Sequence, residues 1–127
     1  MFASAPPASS TLRAILQTAL NLAGWVDLGR LRALVLTGEP LARIQARCPN
    51  LPAAPVLLFV ATPSPASEAD LLAYGAFGEA LRAAATDRGL ATTMHEPSGP
   101  LDDVLRELGE IRPQESIAGS VAIGYPR

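Results

Sequence analysis

The chain has 127 residues, of which 49% are hydrophobic, and its twelve acidic and ten basic side chains leave a net charge of −2. This size and composition indicate one folded domain, and no basic patch with interleaved aromatic residues supports nucleic-acid binding. The single Cys48 excludes an intramolecular disulfide, and no apolar run reaches the roughly 18 residues of a membrane span, so we expect a cytoplasmic protein with no membrane contact.

The beginning of the chain predicts a tail followed by a helix. Residues 1–9 are rich in alanine, proline and serine, which favours a flexible tail in front of a single domain at 10–127. Apolar residues recur at helical spacing from Leu12 to about Ala23, and Gly24 is a suitable residue to end that helix. Residues 25–30 are predicted to form a loop.

Two apolar segments in the first half of the chain predict buried strands. They run from Leu31 to Thr37 and from Ala54 to Ala61, with a short helix from Pro40 to Arg47 between them. The second segment contains five consecutive large apolar residues, as expected for a strand that is covered on both faces. Leu58 lies at its centre, and we expect its side chain to be fully buried.

The second half continues the alternation of helices and strands. Its longest predicted helix runs from about Glu68 to Arg88, with Ser67 as the N-cap residue and Gly89 after the last turn. The remaining predicted elements are a strand, a short helix and a final strand, at Ala91–Met94, Leu101–Leu108 and Ser116–Ile123. This order predicts an α+β fold, a layered α/β sandwich whose central sheet of about four strands is flanked by helices.

The long helix contains two interior glycines, Gly75 and Gly78. An interior glycine destabilises a helix by roughly 1 kcal/mol relative to alanine, so these positions need an explanation. One alternative is a kink or a frayed turn. The other is the close approach of a second helix or a ligand, and this alternative predicts that the helix lies in a subunit interface.

Two segments carry a resemblance to a known family. Ala83-Ala84-Ala85-Thr86-Asp87-Arg88-Gly89-Leu90 ends the long helix, and Val121-Ala122-Ile123-Gly124-Tyr125-Pro126 ends the last strand. Their order and spacing resemble the second half of the nitroreductase-like FMN-dependent oxidoreductases. The resemblance extends from about Leu12 to Arg127 and describes a reduced, divergent member of that family.

The resemblance implies an activity, a cofactor and an assembly. Nitroreductase-like enzymes use FMN to pass a hydride from NAD(P)H to an electron-poor acceptor, and the redox chemistry belongs to the cofactor. For this chain the resemblance implies a homodimer, or a hetero-oligomer with a companion chain. The alternative is a non-catalytic interaction or regulatory subunit whose flavin site has degenerated.

The resemblance also implies cofactor-binding residues, although it identifies no catalytic residue and no metal site. An ungapped count back from Gly38 places Asp27 at the position of a flavin-contacting asparagine. It also places Arg32 at the position of a family arginine. The loop after the third strand is where the family meets its flavin, and Pro97 would lack the N–H that faces flavin N5. The implied set is Asp27, Arg30, Arg32, His95, Glu96 and Arg127.

The family's phosphate-binding pattern is the main departure. Family members carry an Arg-Arg-Ser-x-Arg segment before the first helix, and the printed sequence has no counterpart to it. Arginine suits that task because its planar guanidinium binds a phosphate with two hydrogen bonds. We therefore expect FMN binding that is weak or that depends on a companion chain, with Arg30, Arg32 and Arg127 as the replacement cations.

Overall fold

The computed structural model describes residues 2–22, 30–96 and 100–127, and for 20–22 it describes the backbone only. The described chain alternates helices and strands and forms one four-stranded sheet. The elements are α1 (Ser9–Leu22), β1 (Arg32–Thr37), α2 (Gly38–Arg47), β2 (Val56–Pro63), α3 (Glu68–Thr86), β3 (Ala91–His95), α4 (Leu101–Glu107) and β4 (Glu115–Gly124).

The sheet is antiparallel throughout, with the strand order β1-β2-β4-β3. The strand β2 lies at its centre, and its residues from Val56 to Thr62 are all buried. This confirms the prediction that both faces of the second strand are covered. Leu58 is 0% exposed, as expected from its place in the apolar run.

The central pair of strands contains a β-bulge. Val60 pairs with Gly119 but Ala61 pairs with Ile117, so Ala118 is an extra residue on β4. The backbone N–H of Ile117 donates to the Asp102 carboxylate at 3.2 Å, which attaches α4 to the bulged strand. The bulge also turns Ile117 toward the same face of the sheet as Ala122.

Helices cover both faces of the sheet, so the molecule has three layers. Helices α1 and α3 pack on the face formed by the even-numbered residues of β2, and α2 and α4 pack on the opposite face. Each face buries a separate apolar cluster, since successive residues of a strand point to opposite sides. This arrangement confirms the predicted α+β sandwich with a four-stranded sheet.

Helix α3 begins with a complete capping box. The Ser67 hydroxyl accepts a hydrogen bond from the backbone N–H of Asp70, and the Asp70 carboxylate accepts one from the backbone N–H of Ser67. The helix ends at Thr86, slightly earlier than predicted. Gly89 follows with a φ of +75°, a conformation that favours glycine.

The two interior glycines of α3 differ in their surroundings. A Cβ atom added at Gly78 would overlap the side chain of Met94 on β3, so the missing side chain lets helix and strand approach closely. A Cβ added at Gly75 would meet nothing within 4 Å. The close approach at Gly78 is thus to a strand of the same chain and not to a second helix or a ligand, whereas Gly75 faces open space.

The segment predicted as a flexible tail is attached to the domain. Phe2 is buried in the cluster beneath α2 and α4, and the N–H of Ala3 donates to the carbonyl of Tyr125 at 2.8 Å. Helix α1 begins at Ser9, three residues before the predicted start. The predicted helix end at Gly24 lies outside the described residues, as does most of the loop assigned to 25–30.

Candidate functional site

Four strand ends meet at one end of the sheet and define the candidate site. Because the strands are antiparallel, β1 and β4 begin there and β2 and β3 end there. Arg30 and Arg32 lie at the start of β1, and His95 and Glu96 lie at the end of β3. The structure therefore brings these four predicted site residues to the same end of the sheet.

Arg127, another predicted site residue, does not join them. Arg127 follows β4 at the opposite end of the sheet, beside a second cavity that Phe2 and Gln45 also line. His95 pairs with Ser120, and at about 3.4 Å per residue the seven residues from there to Arg127 span roughly 24 Å. Asp27 lies outside the described residues, as does Pro97.

A cavity of about 470 Å³ opens at the candidate site, between the first half of α3 and the neighbouring strands. Its wall is mostly apolar, with one phenol, one imidazole and one carboxylate. The described lining is Ala66, Leu71, Tyr74, Met94, His95, Glu96, Ile117 and Ala118. The size is in the range of small-molecule sites, and the bulge in β4 forms part of the wall.

Tyr74 is the aromatic side chain of this wall. Its ring lies against the backbone of β4 at Gly119, where a Cβ atom would overlap the phenol. Its hydroxyl donates a hydrogen bond to the carbonyl of Ser120 at 3.3 Å. Burial raises the pKa of the Tyr74 phenol, so the group stays neutral and serves as a planar wall with one polar end.

His95 and Glu96 provide the polar side of the cavity. His95 Nε2 lies 2.8 Å from Thr93 Oγ1 and shares a hydrogen bond with it, whose direction depends on the imidazole tautomer. Among the described residues Nδ1 of the ring has no hydrogen-bond partner, so a ligand can meet the ring there. Glu96 is exposed, and both residues stay as predicted cofactor contacts.

The Arg32 side chain forms an ion pair with a carboxylate of the same chain. Its guanidinium donates to both carboxylate oxygens of Glu115, from Nη2 at 2.7 Å and from Nε at 2.8 Å. The Glu115 side chain is 8% exposed and also accepts a hydrogen bond from the backbone N–H of Arg112. The hydrogen bond from Arg32 lowers the pKa of Glu115 from 4.5 to about 2, so this pair is ionised at neutral pH.

Arg30 is held less tightly. Its guanidinium lies 3.6 Å from the Asp70 carboxylate, and its side chain is 57% exposed. Asp70 itself is buried, and its hydrogen bonds to Ser67 lower the pKa of its carboxyl group. Because Asp70 already has these partners, Arg30 adds a weak ion pair to an existing cap.

The sequence did not identify Tyr74, Leu71 or Met94 as site residues. They lie in regular elements, where apolar and aromatic residues usually indicate core packing. The only signal was the glycine spacing around Tyr74, which drew attention to that turn of α3. Among the described residues no cluster of three or more His, Cys, Asp or Glu side chains could hold a metal ion.

Comparison with known proteins gives matches at the level of structure only. No protein-family model and no curated protein sequence matches the chain. The FMN and NADPH-dependent nitroreductase NfnB from sphigopyxis sp. strain HMH superposes with a TM-score of 0.82 at 17% identity, over 98% of this chain and 82% of that one.

Further solved structures show the same similarity. A nitroreductase with bound FMN from Desulfitobacterium hafniense has a TM-score of 0.74 at 18% identity, with 99% of this chain and 82% of that chain covered. A putative NADH dehydrogenase/NAD(P)H nitroreductase from Bacteroides thetaiotaomicron has a TM-score of 0.77 at 17% identity, with 99% of this chain and 79% of that chain covered. The chain therefore has the nitroreductase fold, and its sequence is a divergent representative of that fold.

Proposed function

We propose that this protein is a flavin oxidoreductase of the nitroreductase type, or a subunit of one, and that the cavity beside Tyr74 holds FMN. The observation that carries the proposal is the cavity itself, because it lies where the strand ends of a nitroreductase fold converge. It combines apolar walls with a few polar groups, which is the usual composition of a cofactor site. The fold alone would leave the activity open.

The residues present fit the ring system of a flavin. An isoalloxazine is planar and largely apolar, and the cavity offers Leu71, Met94 and Ile117 as apolar contacts with Tyr74 as an aromatic one. The ring also carries hydrogen-bonding edges, and His95 and Glu96 lie on the polar side of the cavity to meet them. When bound, FMN supplies the redox chemistry, taking a hydride from NAD(P)H and passing it to an electron-poor acceptor.

The chain itself contributes binding and shielding to this reaction. The apolar wall excludes water from one face of a planar ligand, which strengthens the polar contacts at its edges. His95 can meet a hydrogen-bonding edge of the ligand through Nδ1, because Nε2 shares a hydrogen bond with Thr93. These roles require that the ligand ring lie along α3 between Tyr74 and the end of β3.

Absorbance and fluorescence test the proposal directly. FMN is first titrated into the protein. NADPH or NADH is then added in the absence of oxygen to bleach the flavin absorbance, and a quinone or nitroaromatic acceptor is added last. We expect the protein to quench FMN fluorescence in a saturable way, and Tyr74→Ala to weaken this binding. We also expect the acceptor to restore the flavin absorbance that the reductant bleaches. If the wild-type protein binds no FMN, the alternative of a non-catalytic subunit takes its place.

We also propose that the protein assembles, as a homodimer or with a companion chain. Two leucines at the start of α3 are exposed, Leu71 at 51% and Leu72 at 68%, and Met94 beside them is 40% exposed. Gly75 shares the face of these leucines, since residues three and four apart are neighbours on a helix. This apolar face borders the cavity, so a second chain seated there would also close the cavity.

Gly75→Leu tests the assembly. The added side chain begins in open space within its own chain, so a lowered mass by light scattering would report a contact with another chain. Ala42→Leu is the matched control, because Ala42 is exposed on α2, which packs on the opposite face of the sheet. A monomeric wild-type protein at micromolar concentration would contradict the homodimer, and a monomer that still forms no complex with candidate companions would contradict assembly altogether.

A further inference from the structure

The phosphate of FMN requires a cation, and the cavity wall does not supply one. None of the described residues that line the cavity is an arginine, and the chain contains no lysine. A phosphate monoester carries close to two negative charges at neutral pH, so its burial without a cation is unfavourable. A cation supplied by this chain therefore has to come from a residue outside the described cavity wall. This inference rests on the proposed function.

Two of the three predicted cations are poorly suited to the task. Arg32 donates to Glu115 from Nε and Nη2, and its withdrawal would leave that buried carboxylate without its ion-pair partner. Arg127 lies beyond the far end of β4, roughly 24 Å from His95 by strand length. Of the three predicted cations, Arg30 is therefore the remaining candidate.

Arg30 is both available and close. Asp70 is buried, but its contact with Arg30 is long, at 3.6 Å, and the Arg30 side chain is 57% exposed, so Arg30 is only weakly held. Asp70 keeps its hydrogen bonds to Ser67 when Arg30 moves. Arg30 can therefore change partner without leaving a buried charge unsatisfied.

The position of Asp70 connects Arg30 to the cavity. Asp70 and Tyr74 are four residues apart on α3, so they lie on one face with their Cβ atoms roughly 6 Å apart. Ala66, just before the helix, also lines the cavity. A flavin whose ring lies against Tyr74 can therefore extend its ribityl chain along the first turn of α3 and bring its phosphate to Arg30.

We propose that Arg30 is the residue by which this protein recognises the phosphate of FMN and distinguishes FMN from riboflavin. On binding, the guanidinium exchanges its long contact with Asp70 for two charge-assisted hydrogen bonds to the phosphate. Riboflavin has the same ring and ribityl chain but no phosphate, so it does not use Arg30. Loss of such a contact weakens binding roughly tenfold to hundredfold.

Fluorescence titration with FMN and with riboflavin tests this assignment. The wild-type protein is expected to prefer FMN, and Arg30→Gln is expected to lower FMN affinity roughly tenfold to hundredfold while leaving riboflavin affinity unchanged. Arg30→Lys should retain part of the preference, because lysine keeps the charge but not the planar fork. Thermal unfolding of each variant checks that the domain stays folded.

Arg112→Gln is the matched control, since Arg112 is exposed and precedes β4 at the same end of the sheet. It should leave both affinities unchanged. An Arg30→Gln variant that keeps the full FMN preference would overturn the assignment while leaving flavin binding intact. A loss of that preference in Arg112→Gln instead would also overturn it. A wild-type protein that binds neither flavin would overturn the proposed function, and the role of Arg30 with it.

Discussion

The pair formed by Arg32 and Glu115 makes a quantitative prediction about stability. Glu115 has a folded-state pKa of about 2 against an ordinary value of 4.5, and each pKa unit corresponds to roughly 1.4 kcal/mol. The full shift would be worth roughly 3 kcal/mol, and solvent screening reduces it because the Arg32 side chain is 36% exposed. We therefore expect Glu115→Gln to lower the free energy of unfolding by about 1–3 kcal/mol at neutral pH.

The sign of the pH dependence follows from the lowered pKa. The ionised carboxylate stabilises the fold at pH values above 4.5, and this contribution is lost as the pH falls through about 2. Urea unfolding of the wild-type protein and Glu115→Gln is compared at several pH values from neutral down to about 2. The difference in unfolding free energy should shrink steadily below pH 4.5.

An exposed ion pair provides the control for this experiment. Arg47 and Glu107 form a salt bridge at 2.6 Å, but their side chains are 43% and 65% exposed. Glu107→Gln should therefore change the free energy of unfolding by less than about 1 kcal/mol. The reasoning would be refuted if Glu115→Gln behaved like this control, or if its effect were the same at neutral and acidic pH.

Three further predictions concern packing. Leu58→Ala should lower the free energy of unfolding by roughly 2–5 kcal/mol, because Leu58 is 0% exposed; a loss below about 1 kcal/mol would contradict its place in the core. Thr62→Val should leave thermal stability unchanged or raise it, since Thr62 is buried and its hydroxyl has no hydrogen-bond partner among the described residues; a loss above about 1 kcal/mol would reveal a partner. Gly119→Ala should destabilise the domain by roughly 1–3 kcal/mol in urea unfolding, because the new methyl group displaces Tyr74, and an unchanged midpoint would argue against that contact.

The sequence predicted most of the secondary structure because the signals are local. The apolar run around Leu58 indicated a buried central strand, and Ser67 and Gly89 marked the limits of α3 by their capping preferences. The two motif segments at Gly89 and Gly124 also led to the nitroreductase resemblance, which the solved structures confirm at the level of the fold. Element ends differed by a few residues, since helix and strand termini depend on contacts as well as on propensity.

The candidate site was only partly predictable. His95 was selected for its chemistry and its loop, and the structure places it on the cavity wall. Tyr74 lies on α3 and was not selected, because its role depends on Gly119, a residue of β4 that is distant in sequence. Arg32 and Arg127 were grouped with Arg30 because all three carry a positive charge. Their different roles depend on contacts with residues distant in sequence, which charge alone does not predict.

Local sequence determined which segments are helices and strands, which strand is central, and which motifs resemble the nitroreductases. Only the tertiary structure decided that Arg32 pairs with Glu115, that Arg30 is exposed beside Asp70, and that Arg127 lies at the opposite end of the sheet. The physical reason is the range of the interactions. Periodicity and capping act within a few residues, whereas strand register, the bulge in β4 and ion pairing join residues that the chain brings together only on folding.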